Sequence, residues 1–212
     1  MNILRILFSI ILVRPLVQVL LGLKVRHRER LPRKGPAIIV ANHNSHLDTL
    51  VLTSLFPLSM LRHLRPVAAA DYFLRNRFVS WFSLGIMNIL PIQRKGRSRK
   101  EDLFTNIYDA LAQQDIVILF PEGTRGEPEV LQRNKTGLYH LTKHCPDVPI
   151  YPVFLHGLGK TLPKGDYVLI PFFCDVLVGE PFYYQDDRGK FMAQLDHRIV
   201  ELAKEGDFQP WD

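Results

Sequence analysis

A chain of 212 residues suits one domain with a substantial core rather than two. Hydrophobic residues make up 47% and charged residues 23%, which excludes a disordered chain and a polytopic membrane protein. The net charge of +6 fits an anionic partner: nucleic acid, a phosphorylated substrate or a membrane surface.

Residues 3–23 form an apolar run interrupted by Arg5, Arg14 and Pro15. The residues that follow are KVRHRERLPRK, with no small-residue cleavage site, so a cleaved leader is not expected. As a membrane span the run is compromised, because Arg14 would lie near mid-bilayer at a cost of about 3 kcal/mol or more. On a helical projection Asn2, Arg5 and Ser9 share one face, and Arg14 and Gln18 share another. The pattern predicts two short amphipathic helices kinked at Pro15 and lying in the membrane interface. Arg5 and Arg14 would then reach lipid phosphates, and the basic run Lys24 to Lys34 would sit among head groups. A true span and ordinary core packing are the two other readings. Residues 1–34 are accordingly taken as the anchoring segment and residues 35–212 as the main domain, with its first strand near Pro36.

From there short β-like runs alternate with helical patterns. PAIIV is a brief strand, followed by a helix from about Leu47 to Leu58. PVAAA, FVSWFSLG and NILPI come next. A helix from about Ser98 to Gln113 places Leu103, Ile107 and Leu111 at four-residue steps. DIVILF is a continuous apolar run, as expected of a strand buried on both faces. A helix near Thr136 to His144, the strand IYPVFL, further strand in YVLIPFFCDVLVG, and a terminal amphipathic helix from Lys190 to Lys204 complete the chain. The alternation predicts an α/β fold with a mostly parallel central sheet flanked by helices. In such sheets ligands collect beyond the carboxyl ends of strands.

Charge is unevenly spread. Residues 1–112 hold 17 Lys and Arg against 6 Asp and Glu; residues 113–212 hold 10 against 15, so balances of +11 and −5 sum to +6. Basic residues beside the longest apolar runs read as lipid head-group contacts, and neither a zinc-finger spacing nor an aromatic RNP motif points to nucleic acid. Two cysteines, Cys145 and Cys174, make no disulfide framework. His140 and His144 stand one helical turn apart without a third ligand, so no metal site is expected.

Two stretches carry chemistry. NHNSHLD, residues 42–48, follows the strand PAIIV. On one continuous helix His43 and Asp48 would diverge by about 140°. They meet if His43 lies in the strand-to-helix turn and Asp48 one turn inside the helix. The carboxylate would then fix the imidazole tautomer, and the imidazole would act as general base toward an alcohol. Alternatively, Ser45 and Asp48 form a capping pair and nothing more. FPEGTRG, residues 120–126, follows DIVILF. Gly123 permits a tight turn whose amides face an anion, Thr124 offers a hydroxyl, and Arg125 can grip a phosphate. Glu122 would accept a substrate hydroxyl or hold Arg125. A strand-exit turn with a surface ion pair is the plainer alternative.

Taken together, H-x-x-x-x-D at 43–48 and FPEGTR at 120–125 resemble the glycerolipid acyltransferase family, which includes the 1-acylglycerol-3-phosphate acyltransferases. GIMNILPIQR (85–94) and VPIYPVFLHG (148–157) resemble its second and fourth blocks, and NKTGLYHL (134–141) the segment between the third and fourth. The resemblance covers about residues 36–157. It implies direct acyl transfer to the free hydroxyl of a lysophospholipid, with His43 as base and Asp48 as its orienter. Arg94, Glu122, Gly123, Thr124 and Arg125 would form the acceptor site. No cofactor is implied; acyl-CoA or acyl-ACP would be the cosubstrate, and acyl carrier protein and the membrane surface the partners. The cytoplasmic face of the cell membrane is the expected location. Other acceptors, such as a lyso-aminolipid, remain open, as does a non-catalytic lipid-binding role. Gly126 stands where the family commonly has serine, Pro91 where an aromatic is often found, and Asn134 where phenylalanine often precedes lysine.

Overall fold

The structure, a computed structural model, describes residues 3–73, 76–93, 103–127, 130–161 and 173–208. Its strands are β1 (Lys24–Arg26), β2 (Ala37–Ala41), β3 (Leu64–Ala69), β4 (Leu90–Ile92), β5 (Ile116–Leu119), β6 (Ile150–His156) and β7 (Asp175–Val178). They form one sheet in the order β1-β7-β6-β2-β5-β3-β4. The five strands from β6 to β4 are mutually parallel, whereas β7 runs antiparallel to β6 and β1 runs parallel to β7. The predicted mostly parallel α/β sheet is therefore the observed one.

The helices are α1 (Ile3–Phe8), α2 (Asp48–Ser54), α3 (Ala70–Phe73), α4 (Arg77–Trp81), α5 (Thr105–Ala112), α6 (Gly137–Lys143), α7 (Leu158–Thr161) and α8 (Arg188–Gly206). The pleat of β2 shows how the layers are made. Ala37, Ile39 and Ala41 face a core shared with α2 and the N-terminal segment, while Ile38 and Val40 face a core shared with α5, α6 and α8. Every residue of β2 is buried, as the continuous apolar run requires of a central parallel strand. Helix α5 presents Ile107, Ala110 and Leu111 to the second core. Of the expected helix from Ser98, residues 98–102 lie outside the described residues, as do residues 167–172 of YVLIPFFCDVLVG.

The N-terminal segment departs from expectation in three ways. Helical structure runs from 3 to 20 without a break: α1 passes into π-helical turns at Ser9–Val13 and Leu16–Leu20 on either side of Arg14 and Pro15. The wider π turns accommodate a ring that would otherwise clash with a carbonyl one turn back. Second, one face of this segment is core. Val13, Val17 and Leu21 are buried against α2, and β1 is an edge strand of the sheet, so the first strand precedes Pro36 and residues 24–26 belong with the main domain.

Third, the arginines do not point to a lipid surface. Arg5 donates to the carbonyls of Gly85 and Ile86 (2.9 and 3.0 Å) and to Asn88 Oδ1. Arg14 donates to Phe56 O, and Arg28 to Leu55 O. Arg26 donates to the carbonyls of Glu205 and Gly206, and Arg30 pairs with Glu180 while donating to Val178 O. All of these carbonyls but that of Val178 lie at or just beyond the ends of helical segments, where the last C=O groups lack intrahelical partners and the helix dipole is negative. Guanidinium groups satisfy them better than water does at a partly buried seam.

The opposite face of the segment is apolar and open: Ile3, Leu7, Ile10, Ile11 and Leu12 are exposed, and nearby helix α4 and the turn after it expose Phe78, Trp81 and Leu84. The two elements touch through Phe8 and Phe82, packed edge to face at 5.3 Å. Among the described residues, no helix is long and apolar enough to cross a membrane.

Leu21 is fully buried and Ile11 is 69% exposed, so they separate core from surface within one segment. Leu21→Ala should cost about 2–5 kcal/mol in denaturant unfolding, and Ile11→Ala less than about 0.5 kcal/mol. Equal, small effects at both positions would show that the segment does not share the core.

Candidate active site

Strands β2 and β5 lie side by side in parallel, with Val40 opposite Leu119. Each chain leaves the sheet at the same edge, and three residues further on stand His43 and Glu122. The register thus brings together two motifs that are far apart in sequence. The His43 amide donates to Glu122 Oε2 at 3.4 Å, at the outer limit of such a bond, and the Gly126 amide donates to His43 O at 2.9 Å. Phe120 stacks on the His43 imidazole, with ring centroids 4.1 Å apart.

His43 Nδ1 lies 2.8 Å from Asp48 Oδ2. The same oxygen accepts the amides of Asn44 at 2.8 Å and Ser45 at 2.9 Å. Asp48 is the first residue of α2 rather than one turn inside it, and its side chain has no exposed surface. Asp48 thus both pairs with His43 and makes a capping contact. Asp48 accepts the Ser45 amide, as the acid of a capping box does, and Ser45 Oγ accepts the Leu47 amide. A carboxylate accepts from an Nδ1–H group, and in a neutral imidazole that tautomer leaves the lone pair on Nε2. The imidazole is one-fifth exposed, so Nε2 belongs to a ring that solvent reaches at the sheet edge.

Residues that the sequence reading passed over hold this turn in place. Asn42 donates from Nδ2 to Leu155 O and accepts the Leu155 amide at Oδ1, both at 2.8 Å. Its side-chain amide thereby continues the β2–β6 ladder where the backbone turns away. The one sequence signal was an asparagine closing an apolar strand.

Glu122 is buried, with 2% exposure, and it accepts backbone amides from His43 and Gln132 rather than the Arg125 guanidinium. Burial above all, helped by the charge of Asp48, pushes its carboxyl up to about 7 against the pull of those amides. Gly123 adopts φ +76°, which a residue with a side chain rarely takes. Its amide, however, closes the turn onto Phe120 O at 3.0 Å instead of facing an anion. A side chain there would also meet Lys135 Nζ at 2.8 Å, so the Lys135 ammonium sits against this turn. Thr124 is exposed. The Arg125 guanidinium donates to His46 Nε2, from the turn before α2. Arg94 lies outside the described residues. Of the family departures, Asn134 donates to Asp196 on α8, and a Cβ at Gly126 would meet the Gln132 amide at 2.9 Å.

A family model described as Acyltransferase matches residues 22–156. The chain belongs to the acyltransferase family. Among its relatives, a chloroplastic 1-acyl-sn-glycerol-3-phosphate acyltransferase of Brassica napus is 27% identical over 73% of this chain and 43% of its own length. The 1-acyl-sn-glycerol-3-phosphate acyltransferase alpha of Ovis aries is 27% identical over 86% of this chain and 63% of its own. A lyso-ornithine lipid O-acyltransferase of Rhizobium meliloti is 32% identical over 57% and 38%. The chain thus spans between about a third and two thirds of the length of these relatives. The crystal structure of a 1-acyl-sn-glycerophosphate acyltransferase from Thermotoga maritima covers 100% of this chain and 81% of its own, with TM-score 0.77 at 18% identity, so this chain shares its fold.

The raised Glu122 carboxyl has a measurable consequence. Folding favours its protonated form, so its contribution to stability is complete below the ordinary carboxyl value of 4.5 and is lost as pH rises toward about 7. Melting temperatures of the wild type and Glu122→Gln, followed across that window, should therefore diverge in favour of the variant as pH rises. Parallel curves would mean that Glu122 is not held as a buried acid.

Proposed function

We propose that the protein transfers a fatty acyl group from an acyl thioester, carried by coenzyme A or acyl carrier protein, to the free hydroxyl of 1-acylglycerol-3-phosphate. The observation that carries this reading is the His43–Asp48 pair at 2.8 Å, with Asp48 buried and its charge shared among three N–H groups. Nε2 takes the hydroxyl proton as that oxygen attacks the thioester carbonyl. The imidazolium, stabilised by Asp48, then gives the proton to the departing thiolate. The ester bond forms, the carbon–sulfur bond breaks, and no acyl-enzyme is required.

Arg125, together with Arg94, Glu122, Gly123 and Thr124, makes up the proposed acceptor site. A guanidinium matches the oxygens of a phosphate, while Gly123 turns the chain so that Thr124 and Arg125 leave the core. The relative named for a lyso-ornithine lipid keeps an aminolipid acceptor as the second reading. Activity with lysophosphatidic acid but not with a lyso-aminolipid supports the first; the reverse preference overturns it.

The exposed apolar face of the N-terminal segment is the proposed membrane-docking surface, with its other face packed on the core. This reading places the acceptor site at the lipid surface where lysolipids reside.

His43→Ala should lower turnover by roughly a hundredfold or more in a variant that purifies folded. Asp48→Asn should be impaired severely too, since it removes the charge that stabilises the imidazolium. Near-normal turnover in purified His43→Ala would sink the base assignment. For the surface, Leu7→Asp with Ile11→Asp should abolish sedimentation with phosphatidylglycerol vesicles while leaving the melting temperature unchanged. Undiminished vesicle binding by the folded double variant would remove this face from consideration.

A further inference from the structure

His46 lies in sequence between the base and its carboxylate, and nothing in the mechanism above uses it. It lies in the turn before α2, whereas Arg125 comes from the turn after β5, so their contact is a further link between the two motifs. The Arg125 guanidinium and His46 Nε2 are bonded. A guanidinium has only donors, so this bond exists only when Nε2 offers a lone pair and the proton sits on Nδ1. Neutral His46 is therefore a requirement of the observed arrangement. We propose that His46 is a positioning residue that holds the Arg125 guanidinium at the mouth of the His43 site, and so sets the affinity for an acceptor bearing a phosphate.

The surroundings keep His46 in the form that can do this. Burial first, then the Arg125 charge and His43, lower its pKa below 6.5, against the opposing charge of Asp48. Arg125 cannot lose its proton, so only His46 can open the pair. Protonating the imidazole replaces an acceptor by a donor and sets two cations side by side. The guanidinium then leaves its place, and with it the phosphate contact.

The proposal rests on Arg125 being a ligand of the acceptor phosphate, and the experiment separates the two ideas. His46→Phe keeps the ring and removes the acceptor atom, whereas His46→Gln restores an acceptor oxygen. With lysophosphatidic acid as acceptor, His46→Phe should raise the acceptor KM roughly three- to tenfold, with kcat and donor KM nearly unchanged. His46→Gln should recover most of the loss. The double variant His46→Phe with Arg125→Ala should be no worse than Arg125→Ala alone. The ratio of the wild-type acceptor KM to that of His46→Gln, which cancels titration of the substrate phosphate, should rise between about pH 8 and about pH 5.5. If Arg125→Ala leaves the acceptor KM unchanged, the acceptor-site reading itself fails. If Arg125→Ala raises it but His46→Phe does not, or if the two losses simply add, the positioning role of His46 is overturned. A fall in kcat alone in His46→Phe also overturns it, since the variant would then be disturbing the His43–Asp48 pair.

Discussion

Three N–H groups converge on Oδ2 of Asp48: the His43 ring and the amides of Asn44 and Ser45. A buried carboxylate is costly unless its charge is shared in this way, and the geometry that shares it also defines the turn between β2 and α2. The backbone bonds tie that carboxylate to the chain that carries the base. Any substitution that frees Asp48 therefore disturbs turn, helix start and imidazole together. Around this point the remaining parts arrange themselves: Phe120 covers one face of the ring, Asn42 ties the strand end to β6, and Gly126 reaches back to His43 O.

A second constraint is the accounting of helix ends. Arg5, Arg14, Arg26 and Arg28 all come from the first 28 residues and satisfy carbonyls at the ends of α2, α8 and the turn that follows α4. Much of the basic character of the N-terminal part is thus spent inside the fold. It cannot be counted in full toward an anionic surface. What remains outward on the N-terminal helical segment is mainly apolar, so the proposed docking there relies on hydrophobic area more than on charge.

Electrostatics around the site are balanced by proximity rather than by exposure. Glu122 is kept near neutrality by burial beside Asp48, while Arg125 and Lys135 lie toward the turn that follows β5. Two carboxyl groups lie close together: Asp48 holds three N–H donors on one oxygen, while burial is the main cause that raises Glu122 against its two backbone amides.

The sequence by itself determined the α/β class and the buried central strands, and offered the pairing of His43 with Asp48 as one of two readings of NHNSHLD. Each rests on local pattern: apolar runs of strand length, alternation with helical periods, and a spacing that a strand-to-helix turn can close. Tertiary structure decided what such patterns leave open. Charge counting sent Arg5, Arg14 and the basic run to lipid phosphates, because a sequence does not show which helix carbonyls will be left unpaired nearby. Pro15 read as a break, because the π turns that absorb it depend on packing against α2. The partner of Arg125 proved to be His46, not Glu122, since only the parallel register of β2 against β5 fixes which residues of two distant turns stand face to face.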